Sequence, residues 1–237
     1  KLLNNCQHQA SISRLPLMKL DEALPILKSA CNIPIRELFK NHPEDLRTNK
    51  GNVGQLLLKY IGLSLDSNLC DFEDGELKTN KTHANGEPAE TMFITQISAI
   101  IDELVSCPPK KFEESNLYIK IRNLVFLPVV KDSKDVGDWY FLNAYHVQAP
   151  IGSDLFKRLE ADYYSICSQL RRHIETSPDG FIHTSNGELI QIRSKDAKDK
   201  SGRYHPILSK TYNRFISNKN HSFYFKKEFM REFRRLP

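Results

Sequence analysis

Apolar residues recur along this chain with two periods, and each period predicts a kind of element. Val53, Leu56, Leu57, Tyr60 and Ile61 fall on one side of a 3.6-residue repeat, which predicts a helix with a buried face over 53–63. LDEALPILKSA (20–30) has the same spacing, interrupted at Pro25, and IPIRELF (33–39) starts a second short helix with proline in its first turn. The longest amphipathic stretch, SDLFKRLEADYYSICSQLRRHIE (153–175), opens on a Ser/Asp pair suited to a helix start. Strand signals mark ELKTN (76–80), TMFITQISA (91–99), WYFLNAYHV (139–147) and GELIQIRSK (187–195). LYIKIRNLVFLPVV (117–130) is β-branched and apolar and predicts a strand closing at Pro128. NHPEDLRTNKGN (41–52) reads as a loop, THANGEPAE (82–90) as a turn, and SFYFKKEFMREFRRL (222–236) as a strand passing into a helix. With no repeat and no long linker, the pattern predicts a mixed α/β chain.

A length of 237 residues suits one large or two-lobed domain with a full core. Five scattered cysteines without a CxxC pair suggest neither a disulfide framework nor a zinc knuckle, and a reducing compartment is expected. The eight histidines have no metal-ligand spacing, and Trp139 is read as structural. No apolar run reaches the roughly 18 residues of a membrane span. The start, KLLNNCQHQA, has neither an initiator Met nor a signal peptide's apolar region, so a piece of a longer cytoplasmic protein is expected, with no membrane partner.

The net charge of +5 changes meaning when it is divided along the chain. From Arg193 to Pro237 there are 13 Lys and Arg against 4 Asp and Glu, a surplus of +9, while everything before carries −4. The same segment interleaves Tyr204, Tyr212, Phe215, Phe223, Tyr224, Phe225, Phe229 and Phe233 among its cations. Clustered cations neutralise phosphates and aromatics pack on sugars and bases, so a nucleic-acid partner is expected.

CDFEDGELKTNK (70–81) adds candidate chemistry. Hydrolysis of a phosphodiester by a divalent ion needs carboxylates to hold the ion and a nearby cation to orient water and offset charge. Glu76 and Lys78, in an ExK element, project to one side of a strand, with Asp71 upstream. By itself the triplet is a weak signal, since ExK more often marks a solvated strand face.

KGNVGQLLLKYIGL, DFEDGELKT, ETMFITQ, IKIRNLVFLPV, GELIQIRSK and SFYFKKEF follow one another in the order, and nearly at the spacing, of the MutH family. That family holds a mismatch-repair nicking endonuclease and GATC-cutting type II restriction endonucleases, and the resemblance runs from about Leu20 to the C-terminus. It implies a two-lobed, restriction-endonuclease-like (MutH-like) α/β fold with a mixed central sheet and a DNA-binding cleft. A single MutH-like domain over 1–237 is then expected: a lead-in at 1–19, lobes carrying a degenerate active-site region at 20–192, and a basic DNA-reading part at 193–237.

Residue by residue, the resemblance is uneven. Where the family has a glutamate on the helix before the metal site, this chain has Leu58, and Asp71 stands two residues closer to ExK than its family counterpart. Glu76 and Lys78 match, and Lys120 or Arg122 falls where the family has a further active-site lysine. Glu73 or Asp74 is a candidate replacement ligand. A degenerate catalytic set of Asp71, Glu76, Lys78 and Arg122 is therefore expected, with no metal, or one held by Asp71 and Glu76. Lys50, Phe93, Arg193 and Tyr224 match DNA-contacting residues of the family, although Ser194 replaces the proline usual after that arginine. Lys195, Lys226 and Lys227 are added as neighbouring cations.

This asymmetry implies that the chain resembles the C-terminal effector domain of a GATC-specific type II restriction endonuclease. Such a domain binds double-stranded DNA containing GATC without a cofactor and stimulates an N-terminal catalytic domain of the same chain, the full-length enzyme being Mg²⁺-dependent. The alternative is an active Mg²⁺-dependent endonuclease using Asp71, Glu76 and Lys78. A MutH-like nickase recruited by repair proteins is a third reading, which the missing glutamate disfavours.

Overall fold

A computed structural model of the chain describes residues 18–41, 53–63 and 69–236, so Lys50 and nearly all of the expected lead-in lie outside the described residues. The helices are α1 (Leu20–Ser29), α2 (Ile35–Leu38), α3 (Val53–Tyr60), α4 (Ile101–Val105), α5 (Asn116–Ile121), α6 (Asp154–Thr176) and α7 (Lys227–Glu232). The strands are β1 (Glu76–Thr82), β2 (Met92–Gln96), β3 (Asn123–Val130), β4 (Tyr140–Phe141), β5 (Tyr145–Gln148), β6 (Ser185–Asn186), β7 (Ile190–Ser194), β8 (Ile207–Ser209), β9 (Arg214–Ser217) and β10 (His221–Phe225).

The expected mixed α/β composition is present. One sheet is mixed: β1 runs parallel to β3 with Glu76 opposite Leu124 and Thr82 opposite Val130, while β5 and β4 pair antiparallel with β3. The other is antiparallel in the order β2-β10-β7-β6, and β8 and β9 form a separate hairpin.

From Leu124 onward β3 is apolar because both of its faces are covered. Leu124 and Phe126 enter a larger cluster with Leu159, Tyr163 and Ile166 of α6 and with Ile192, Phe223 and Phe225 of the antiparallel sheet. Val125, Leu127 and Val129 point the other way, into a smaller cluster with Leu20 and Leu27 of α1 and Leu56 and Leu57 of α3. Strand alternation thus separates the two cores on successive residues.

Three expectations need correction. The segment 117–130 is not one strand, because its first part is α5. The Ser115 hydroxyl accepts from the Tyr118 N–H at 3.1 Å and caps a turn whose Leu117, Tyr118 and Ile121 are buried, a spacing that fits a helix as well as a strand. Nor does β3 close at Pro128. N–H and C=O of one strand residue point the same way, and the Pro128 carbonyl accepts from Leu142 N–H at 2.8 Å in the gap between β5 and β4. The N–H that proline lacks would face this same segment, so its absence leaves the ladder to β1 intact and falls where the pairing with β4 ends. WYFLNAYHV is two short strands rather than one, bending over residues 142–144.

The long helix follows expectation, with the Ser153 hydroxyl accepting from Phe156 N–H at 3.1 Å. Its buried face carries an acid that apolar periodicity does not announce. The Asp162 carboxylate accepts the backbone N–H groups of Glu188 (2.7 Å), Leu189 (2.6 Å) and Ile190 (3.0 Å), fastening the start of β7 to the middle of α6. Gly187 makes the approach possible, since a Cβ there would lie 2.3 Å from the carboxylate carbon. Asp102 in α4 holds the β8–β9 turn in the same way, accepting from Ser209 Oγ at 2.7 Å and Thr211 N at 3.0 Å.

Removing the Asp162 acceptor leaves three N–H groups, those of the two residues before β7 and of its first residue, without a charged partner. Asp162→Ala is expected to lower the unfolding free energy by about 3 kcal/mol or more. Urea denaturation checks this, and a loss under about 1 kcal/mol would show that β7 is held by its ladder alone.

Candidate functional site

The local geometry of two strands sets what faces outward. Arg193 lies opposite Ser222 and Tyr224 opposite Gln191, so Arg193 and Tyr224 are diagonal neighbours on one face of the antiparallel sheet. Phe93 of β2 pairs with Tyr224 from the other side, and Lys195 follows Arg193 by two residues. The intervening Ile192 and Phe223 point into the core, as a period of two requires.

These side chains are packed against one another. The Arg193 guanidinium lies 4.2 Å from the centre of the Tyr224 ring, and the Lys195 ammonium lies 3.6 Å from the centre of Phe93. Phe93 and Tyr224 meet edge to face at 5.9 Å. Cation–π contact fixes the two cations in place without neutralising them. Burial, with Arg193 beside it, lowers the Lys195 pKa, and burial raises that of Tyr224 against the opposing effect of Arg193.

A pocket of about 660 Å³ brings this wall opposite a second one. It is lined by Phe93, Arg193, Lys195 and Tyr224 on the antiparallel sheet, and by Asp71, Glu76, Lys78 and Leu58 on β1 and its surroundings. Residues 58, 71, 76, 78, 93, 193, 195 and 224, singled out separately in the sequence, therefore share one concavity.

The acidic wall is held by position and charge. Gly75 admits the chain to β3, where a Cβ would come 2.8 Å from the Asn123 carbonyl oxygen, and Glu76 follows it at 3% exposure. The Glu76 Oε1 accepts from Lys78 Nζ at 2.5 Å and from Lys120 Nζ at 3.0 Å, and its Oε2 accepts from Lys120 Nζ at 3.1 Å. Both oxygens are thus engaged by ammonium groups. Asp71 Oδ2 accepts from Leu77 N–H at 3.0 Å. Burial, and after it the Glu76 carboxylate, raises the Asp71 pKa against that hydrogen bond and the charges of Lys78 and Lys120.

Other candidates stand elsewhere. Between the alternatives Lys120 and Arg122, it is Lys120 that reaches Glu76, whereas Arg122 is exposed and outside the pocket lining. Glu73 is exposed, and Asp74 Oδ1 accepts from Leu20 N–H at 2.9 Å at the start of α1; neither lines the pocket. Lys226 and Lys227 are also outside it, and the Lys226 ammonium donates to the Gly187 carbonyl at 3.1 Å. Trp139 Nε1 donates to Ser133 O at 2.8 Å and its ring lies 4.8 Å from Lys131 Nζ.

The pocket also contains Lys81, Lys131, Glu90 and Thr91, which sequence reading did not single out. The available signal for Lys131 was a cation immediately after an apolar strand.

Mg²⁺ asks for oxygen donors at near-ideal octahedral geometry. Here Leu58 offers no oxygen, Asp71 Oδ2 is engaged by a backbone N–H, and the Glu76 oxygens face ammonium groups. Among the described residues no cluster of three His, Cys, Asp or Glu is arranged to hold a metal, and this donor set does not fit a divalent ion.

No protein-family model matches the chain. It is 29% identical over 172 residues to the DNA mismatch repair protein MutH of Haemophilus influenzae (strain PittEE), covering 70% of this chain and 71% of that protein. With the protein of the same name from Shewanella woodyi it shares 24% over 193 residues, 77% and 78% of the two chains. The Vibrio cholerae (strain M66-2) counterpart is 27% identical over 162 residues, 67% and 69% of the two chains. These similarities are a distant homology to MutH, and the mixed α/β architecture is consistent with a MutH-like nuclease fold.

The raised Asp71 pKa makes a prediction of definite sign. A carboxyl that binds its proton more tightly when folded contributes stability that is fully present below the ordinary carboxylate value and is lost as pH rises from there through its raised folded value, so its ionised form costs stability at neutral pH. Asp71→Asn is expected to raise the melting temperature at pH 7, with the difference shrinking near pH 3 where the carboxyl is protonated in either state. A lower melting temperature at pH 7 would show that the charge stabilises the pocket.

Proposed function

We propose that this chain is a sequence-specific DNA-binding domain that recognises GATC and does not itself cut. It serves as the C-terminal effector domain of a type II restriction endonuclease and stimulates a catalytic domain placed N-terminally in the same protein. Distant homology to DNA mismatch repair proteins supports DNA as the partner and a nuclease ancestry at the coarse level. The observation that carries the finer reading is the contrast between the two walls of the pocket. One presents Arg193, Lys195, Tyr224 and Phe93, and the other has Glu76 neutralised by two lysines beside Leu58.

Arg193 suits the reading role because a guanidinium can donate two hydrogen bonds to the O6 and N7 of guanine, and its hold on Tyr224 reduces the freedom lost on binding. Lys195, Lys81 and Lys131 suit phosphates. Lys50 belongs to the same proposal on the family resemblance alone. In this reading the domain extends over 1–237, acts as a reader in a two-lobed frame with the DNA in a cleft, and needs no cofactor. The described cysteines are free, which suits a reducing cytoplasm, and among the described residues no helix is long and apolar enough to cross a membrane.

One observation favours the second reading, an active endonuclease: Asp71, Glu76 and Lys78 do line one pocket. Incubation of the chain with a GATC duplex and Mg²⁺ or Mn²⁺ separates the two. No nicking is expected, and nicking that disappears in Glu76→Ala would replace the binding-only reading with the enzyme.

Arg193→Ala is expected to cost about 1–3 kcal/mol on GATC duplexes and much less on scrambled ones. Competition binding measures the difference, and an equal loss on both would assign Arg193 to phosphate alone.

A further inference from the structure

Glu76 is a buried carboxylate facing two ammonium groups, and this excess of positive charge has a use. Lys120 donates to both Glu76 oxygens, at 3.0 and 3.1 Å, from a helix that does not line the pocket. Its charge alone offsets that of the carboxylate. Lys78 adds a second cation on Oε1 and does line the pocket. An ammonium has three N–H donors, so Lys78 keeps donors beyond the one engaged by Glu76.

The surroundings point the same way. Lys81, Lys131, Arg193 and Lys195 line the pocket, and none of them is in an ion pair with another described residue. Thr91, also in the lining, has a buried hydroxyl without a hydrogen-bond partner. The lining acids are Asp71, Glu76 and Glu90, so with Lys120 behind Glu76 the pocket is cationic.

We infer that the Glu76 end of this pocket is a divalent-independent seat for a backbone phosphate of DNA, with Lys78 as the contacting group and Lys120 as its positioning residue. A metal-dependent nuclease supplies positive charge at the phosphate with a bound ion. Here the ammonium of Lys78 supplies it, held on a carboxylate whose own charge Lys120 cancels. Glu76 orients Lys78 rather than holding an ion. The inference rests on the DNA-binding reading above and adds the chemistry of one contact to it.

Fluorescence anisotropy of the 237-residue chain with a labelled GATC duplex tests it, in EDTA and with added Ca²⁺ or Mg²⁺ at matched ionic strength, and in EDTA over a series of salt concentrations for the slope. Binding is expected to differ by less than about twofold among the three, because counterion release from phosphates needs only fixed cations. Lys78→Gln is expected to weaken binding about tenfold on GATC and scrambled duplexes alike and to reduce the salt slope by about one, as for loss of a phosphate contact. Lys78→Arg is expected to keep the slope, and Lys120→Gln to weaken binding as Lys78→Gln does, without a further loss when combined with it.

Binding tightened severalfold by a divalent ion, with that gain lost in Glu76→Gln, would overturn the inference and leave the DNA-binding reading standing. Absence of DNA binding under all three conditions would overturn that reading itself. An unchanged salt slope in a folded Lys78→Gln chain would remove Lys78 from the phosphate. If that variant does not fold, the comparison of EDTA with Ca²⁺ on the unaltered chain decides.

Discussion

Strand β3 is buried on both faces, and the rest of the molecule is arranged around that constraint. A strand with no solvent face must find a core on each side, so Leu124 and Phe126 organise one apolar cluster and Val125, Leu127 and Val129 the other. Its edges are used as well. β1 lies along one edge in parallel register, which sets Glu76 beside Leu124 at the mouth of the sheet, while β5 and β4 divide the other edge around Pro128. α5 leads directly into β3, and so Lys120 arrives one side-chain length from Glu76.

The second sheet converts alternation into a surface. Odd and even positions of β7 and β10 separate the apolar residues that join the larger core from Arg193, Tyr224 and their neighbours. Asp162 fixes the beginning of β7 through three backbone hydrogen bonds, and the cations at its far end therefore stand on a strand anchored in the interior. Aromatic rings then hold these cations without cancelling their charge. A surface assembled in this way is ready for a polyanion, which agrees with the charge surplus of the C-terminal segment.

The cost of the pocket is electrostatic. Asp71 is kept partly out of water beside another carboxylate, Lys195 is kept partly out of water beside Arg193, and Lys131 is kept partly out of water between Glu90 and Lys81. Groups held against their ordinary ionisation collect where a protein binds or reacts, because stability elsewhere permits it. The Glu76 cluster differs from these, since each of its charges has a partner at hydrogen-bond distance.

Much of this was present in the sequence. The periods of 3.6 and 2 located α3, α6, β1, β7 and β10, since these depend on which residues alternate and not on what they meet. The ExK pattern pointed to 71, 76 and 78, and the resemblance to the MutH family to 93, 193 and 224 with 195 beside them; these side chains share a pocket. What the sequence left open has one physical origin: local patterns cannot report contacts between distant segments. The buried positions Leu117, Tyr118 and Ile121 suit a helix as well as a strand, and the Ser115 cap with the packing around it selected the helix. The resemblance allows Lys120 or Arg122 and the expected set takes Arg122, but the helix places Lys120 against Glu76, 44 residues earlier, and leaves Arg122 exposed. Asp162 is unremarkable in an amphipathic helix, and becomes an anchor only because Gly187 lets a strand come close to it. Sequence determined the elements and the kinds of chemistry available, while tertiary approach decided which charges pair, which remain free, and therefore what the pocket can hold.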